Sequence, residues 1–246
     1  MVISIRNSKV VYDRKNSSFN GIMPGRIDWG TELKGADCFH WSGISAAVSQ
    51  NAADVCLEAL IAAKQQKITI VADLNYRSTL WDYGIHPSSI MPTLLSYADI
   101  IIGDINSASI YFDLKINDSW SREDQFRESV GLLKERLPAL KTMAMSFRNT
   151  NEYHLPLYQG ALYHDEAVYF SKEYIIPATV DRVGSGDAFT GGLLYALLNN
   201  YHPEKILAFA CAAGILKHSL AGDFACLQLK ELLAFIDNGF DSRIIR

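Results

Sequence analysis

The residues best suited to chemistry lie in one run, Asp181-Arg182-Val183-Gly184-Ser185-Gly186-Asp187-Ala188-Phe189-Thr190-Gly191-Gly192. Gly184 and Gly186 let the backbone turn tightly and bring its N–H groups close to a ligand. The apolar run that follows predicts a helix opening at this turn. Unpaired N–H groups and partial positive charge at a helix N-terminus suit an anion such as a phosphate. Asp187 stands at that helix start. A carboxylate there can take a proton from a hydroxyl while the N–H groups stabilise a transferring phosphoryl group. The same spacing also fits a plain glycine turn with Asp187 as a favourable first-turn acid. It is neither a Walker A loop nor a dinucleotide fingerprint. No G-x-x-x-x-G-K-[ST] occurs, and the helix follows hairpins rather than opening a βαβ unit.

The elements that must position this turn can be read from apolar periodicity. Buried strands are predicted at 37–43, 68–73, 97–103 and 141–146, with helices at 52–63, capped by Ser49, and at 122–136. Strands alternating with helices argue for an α/β fold with a parallel sheet covered on both faces. Between Glu152 and Pro177 the short runs 154–158, 161–163 and 168–170 read as antiparallel hairpins. Helices then follow at 187–200, 203–220 and 228–238. The opening residues alternate up to Arg14 and read as a strand or hairpin, before a Gly/Pro-rich loop around Gly21–Gly25.

Composition bounds the partners. The 246 residues are 49% hydrophobic and 20% charged, enough for one large core. The 23 basic and 27 acidic residues give a formal charge of −4. They are dispersed, which argues against a nucleic-acid partner. Cys38, Cys56, Cys211 and Cys226 form no C-x-x-C pair and read as free thiols, with nothing to suggest an oxidising compartment. The start carries no signal-peptide pattern, and no run approaches the roughly 18–20 apolar residues of a membrane span. No membrane partner and a cytoplasmic location are the expectations.

The flanks of the glycine turn carry more information. Asp181, then two residues, Gly184-Ser185-Gly186-Asp187 and Ala188-Phe189 together resemble the C-terminal signature of the ribokinase-like (phosphofructokinase-B) sugar kinases. Four further stretches are similar to the 2-keto-3-deoxygluconate kinase branch of that family. They are Val10–Arg14 with Ser17, Phe39–Ile44, Asp73–Arg77 with Leu80-Trp81, and Lys217–Ser219 with Gly222–Phe224. The resemblance implies a three-layer α/β/α sandwich with a mainly parallel sheet. It implies Asp187 as catalytic base and Gly184, Ser185 and Gly186 as anion hole. It implies Tyr12, Arg14, Arg77 and Asp223 as contacts of a sugar acid, whose carboxylate suits arginine. It implies Ser146, Arg148, Asn149 and Asn151, with Asp104, Gly184 and Gly186, at the nucleotide, and the helix over Phe209–His218 as a wall of the adenine pocket. ATP with Mg2+ would be the cofactors, the metal held largely through phosphates and water rather than by dedicated protein ligands. A homo-oligomer is expected.

Two departures stand beside the resemblance. Where the family usually carries Asn, two residues, then Glu, this chain has Asp104-Ile105-Asn106-Ser107. Family members also carry on the order of a hundred residues ahead of the stretch matching Val10–Arg14, much of a small domain. On that reading residues 1–18 are the remnant of a lid strand and 19–246 the α/β domain, with the first sheet strands and most of the lid absent. The expected reaction is ATP-dependent phosphorylation of 2-keto-3-deoxygluconate. A nucleotide-binding, catalytically impaired chain and a kinase for another sugar such as fructose or ribose are the alternatives.

Overall fold

Each central strand is apolar on both sides, so its residues must be covered from above and below. The computed structural model describes residues 14, 17–176 and 179–239. Within them the strands are β1 (Cys38–Ser42), β2 (Thr69–Asp73), β3 (Ile100–Gly103), β4 (Thr142–Thr150), β5 (Pro156–His164), β6 (Ala167–Phe170) and β7 (Tyr174–Ile175). They form one sheet in the order β1-β2-β3-β4-β5-β6, with β7 also on β5. The pairs from β1 to β4 are parallel; β4–β5, β5–β6 and β5–β7 are antiparallel.

The helices are α1 (Trp29–Glu32), α2 (Gly43–Ala47), α3 (Gln50–Gln65), α4 (Met91–Leu95), α5 (Ile105–Phe112), α6 (Arg122–Arg136), α7 (Ser185–Leu198), α8 (Pro203–Lys217) and α9 (Leu229–Asn238). Strand alternation divides the core. Ile70, Ala72, Ile101, Met143 and Met145 pack with Leu60, Leu94, Tyr111 and Phe126 from α3 to α6. Val71, Ile100, Ile102, Ala144 and Leu162 pack with Phe189, Leu193, Leu207 and Phe209 from α7 and α8. Helices on both faces of a mixed sheet, parallel from β1 to β4, give the α/β/α layering expected.

The sequence reading met most of these elements. Ser49 caps α3, its side chain accepting from the Ala52 N–H at 3.2 Å, and α6 spans Arg122–Arg136 as predicted. Two readings change. Residues 156–158 of the first run and the run 161–163 belong to one continuous strand, β5, and His154 and Leu155 precede it. Gly160 is required there because a Cβ would lie 2.5 Å from Cys211 Sγ and 2.8 Å from Leu207 Cδ1. Helix α5 carried no helix prediction; it follows β3 directly, with Asp104 as its N-cap. Of the predicted opening strand only Arg14 is among the described residues; Tyr12 and the rest lie outside them.

Candidate active site

Open parallel sheets bind ligands beyond the carboxyl ends of their strands. Here β2 ends at Asp73 and β3 at Gly103, followed by the first turn of α5. The glycine turn reaches this rim because α7 lies tightly on α8. Gly192 makes that approach possible: a Cβ there would sit 2.5 Å from the Phe209 carbonyl oxygen.

The result is a cavity of about 680 Å³ lined by both groups. Asp73, Asn75 and Arg77 come from the end of β2, Gly103 and Asp104 from the end of β3, and Ser146 and Arg148 from β4. Arg182 to Asp187, Phe189 and Thr190 come from the glycine turn and the start of α7. Gly184 is the N-cap of α7, at φ 75°. No side chain among the described residues caps this turn. Among the described residues neither Gly186 nor Asp187 N–H has a backbone acceptor. A helix end of this kind offers donors and positive potential to an anion.

Hydrogen bonds fix the turn. Asp181 accepts from Val183 N–H at 3.0 Å and from Gly222 N–H at 3.1 Å. The Ser185 hydroxyl donates to the Arg182 carbonyl at 2.8 Å and accepts from Arg148 Nη2 at 2.8 Å. The Asp181 carboxyl is held below the usual range, above all by the Val183 N–H, then by Gly222 N–H and the charge of Lys217. Asp73 shows the opposite shift, to about 7, because burial and then the facing Asp187 carboxylate disfavour its charge more than Arg77 favours it.

Asp104 is already engaged. Its two oxygens accept from Ser107 N–H at 2.9 Å and Ser107 Oγ at 2.6 Å. Ser107 is 1% exposed, and its oxygen also accepts from Tyr76 N–H at 3.3 Å. The small hydroxyl therefore belongs to the packing of α5 against the end of β2.

The structure thus gathers Arg77, Asp104, Ser146, Arg148, Gly184, Ser185, Gly186 and Asp187 around one cavity. Asn149 and Asn151 do not line it. Asn151 instead closes the β4–β5 turn, accepting from Tyr153 N–H and Leu155 N–H. Arg14 does not line the cavity either; its carbonyl accepts from Ser17. Asp223 lines a second, more apolar cavity of about 490 Å³, with Gly191, Gly192, Tyr195, Ala213, Phe224, Leu229 and Leu232. Gly184 and Asp187 line both cavities. Asp73, Asn75, Arg182 and Thr190 are cavity residues that sequence reasoning did not select. The DxNxR spacing and the Arg inside the glycine signature were the available signals.

Comparison with known proteins adds identity to this geometry. The pfkB family carbohydrate kinase profile matches residues 158–228. The chain is 26% identical over 239 residues to the 2-dehydro-3-deoxygalactonokinase of Haloferax volcanii, covering 96% of this chain and 69% of that protein. It is 27% identical over 197 residues to the 5-dehydro-2-deoxygluconokinase of Lacticaseibacillus casei, covering 80% of this chain and 54% of that protein. The crystal structure of 2-dehydro-3-deoxygluconokinase from Thermotoga maritima superposes with a TM-score of 0.86 at 28% identity, over 94% of this chain and 69% of that one. The chain therefore spans between about half and about two thirds of these relatives' lengths. The chain thus has a ribokinase-like α/β fold, its residues 158–228 match the pfkB family carbohydrate kinase profile, and it is similar to these sugar-acid kinases.

Proposed function

We propose that the chain transfers the terminal phosphoryl group of ATP to a hydroxyl of a 2-keto-3-deoxy sugar acid, with 2-keto-3-deoxygluconate as the first candidate. The observation that carries this reading is the placement of Asp187 at the uncapped first turn of α7, in a cavity that also presents Arg77, Arg148 and Arg182. Asp187 takes the proton of the attacking hydroxyl as the bond to phosphorus forms. The Gly184–Gly186 turn stabilises the charge on the group in transfer. Arg77 and Asn75, on the β2 side, receive the sugar acid, and a guanidinium matches its carboxylate through paired donors.

The nucleotide runs over the glycine turn. Its phosphates lie toward Arg148 and Ser146, and its base enters the second cavity, where Ala213 of α8, Tyr195 and Phe224 offer apolar walls. Among the described residues no cluster of carboxylates forms a metal site of its own, so a magnesium ion would be carried by the nucleotide, held by its phosphates and by waters that donate to Asp104. Bound there, the ion would neutralise phosphate charge.

Steady-state kinetics with 2-keto-3-deoxygluconate, its galactonate epimer, fructose and ribose tests the substrate class. The reading expects the two acids to be preferred by about 10-fold or more in kcat/KM, the scale of a charge-assisted hydrogen bond to the carboxylate. Equal use of fructose or ribose would contradict it. One observation favours a second reading, a nucleotide-binding chain with weakened transfer: buried Ser107 occupies the place where the resemblance leads one to expect a glutamate. ATP binding without phosphorylation of any of the four sugars would support it.

A further inference from the structure

We propose that Arg182 grips the phosphoryl group in transfer, an assignment that rests on the kinase reading above. Among the described residues three arginines line the cavity, and they differ in what they already bind. Arg77 Nη1 donates to the Tyr76 carbonyl at 2.9 Å. Arg148 Nη2 donates to Ser185 Oγ at 2.8 Å. Among the described residues the Arg182 guanidinium has no hydrogen bond or ion pair, so its whole donor fork is available.

The main chain beneath that side chain is fixed. The Arg182 carbonyl accepts from Ser185 N–H at 3.3 Å and from Ser185 Oγ at 2.8 Å. Because Ser185 Oγ also receives Arg148, one hydroxyl joins Arg148 to the backbone of Arg182 across the turn. Two cations are thereby tied to the segment that carries the anion hole, and Arg77 stands apart at the end of β2. That division assigns Arg77 to the sugar carboxylate and the Arg148–Arg182 pair to phosphate oxygens. Arg148 spends a donor on Ser185, whereas Arg182 keeps all of its donors for the group whose charge is redistributed during transfer. A planar fork matches two phosphate oxygens at once, which a lysine ammonium does not.

The test compares wild type with Arg182→Gln and Arg182→Lys. Arg182 is exposed, so both variants should melt with the wild type. Calorimetric binding of ATP and ADP and steady-state kinetics with 2-keto-3-deoxygluconate are the readouts. In Arg182→Gln, kcat should fall about 100-fold or more, as for other arginines on transferring phosphoryl groups. ATP affinity should fall about 10-fold with ADP affinity unchanged, and KM for the sugar acid should stay within about 2-fold, with Lys restoring part of kcat. An unchanged kcat, or a loss confined to KM for the sugar acid, overturns the assignment. If wild type binds ATP but does not phosphorylate the sugar acid, the kinase reading fails separately. The ATP-to-ADP affinity ratio then decides Arg182, and an unchanged ratio in Arg182→Gln overturns it.

Discussion

The N–H of Gly222 donates to Asp181 Oδ2 at 3.1 Å, joining positions 41 apart in sequence. Val180 N–H and Asp181 N–H add bonds to the His218 carbonyl at 2.8 and 3.3 Å. Lys217 is fully buried and donates to the Leu220 carbonyl at 3.0 Å within the same loop. The loop after α8 is therefore the seat on which the glycine turn rests, and α8 fixes the turn as firmly as α7 does.

Loss of that seat should appear in catalysis. Asp181→Ala is expected to lower kcat about 10- to 100-fold, since small misplacements of a preorganised site cost rates of this order. ADP-release kinetics checks this. The carboxyl is held below its unfolded value, so its contribution to stability is present above that value and fades as pH falls through the lowered one. Denaturation midpoints of wild type and Asp181→Ala should accordingly converge at low pH.

Gly184→Ala tests the other side of the same contact. The residue has φ 75°, and an added Cβ would lie 2.0 Å from the Asp223 carbonyl oxygen. The conformation alone costs about 1–2 kcal/mol for a residue with a side chain, and the clash with backbone adds to it. Urea unfolding should show a lower midpoint, and kcat should fall with it. An unchanged midpoint would contradict this geometry.

Asp73 should give the fold an acid-side preference. Its carboxyl titrates near 7 in the folded chain, raised by burial and by Asp187, against roughly 4 when unfolded. Between those values the folded state holds the extra proton, so this group's stabilisation is full below about pH 4 and is lost as pH rises through 7. Asp73→Asn should flatten that part of the stability profile and raise the denaturation midpoint at pH 8 relative to wild type. A profile identical to wild type would contradict the environment described for Asp73.

Asp104 and Ser107 act as one capping unit. Asp104→Ala should cost about 1 kcal/mol through loss of the α5 cap. Ser107→Glu introduces a longer, charged side chain at a buried site bonded to Asp104 and Tyr76. It should lower the melting temperature without raising kcat. A rise in kcat would show that the site accommodates a glutamate after all.

What the sequence made legible was local. The Gly184–Asp187 turn and helix α7 could be read because glycines, an acid and an apolar run occur consecutively. The alternation of strands and helices did the same for β1 to β4. What stayed hidden depends on packing between distant segments. Asp73 titrates unusually because the fold buries it and α7 then brings Asp187 toward the end of β2, which no spacing within 73–77 reveals. Asp223 follows the family stretch at Gly222, yet the turn directs it to the second cavity. Asn151 resembled a phosphate contact, but its side-chain oxygen is used by the hairpin turn. Arg182 stands inside the motif, but the glycines and Asp187 explain the turn without it.

The most direct test of the central claim is a coupled ADP-release assay with ATP, magnesium and 2-keto-3-deoxygluconate, comparing wild type with Asp187→Asn. Asp187 as base for the attacking hydroxyl requires sugar-dependent turnover in wild type and a loss of about 100-fold or more in the variant, the usual scale of a general base, with ATP binding retained. Turnover in Asp187→Asn equal to that of the wild type would contradict the account.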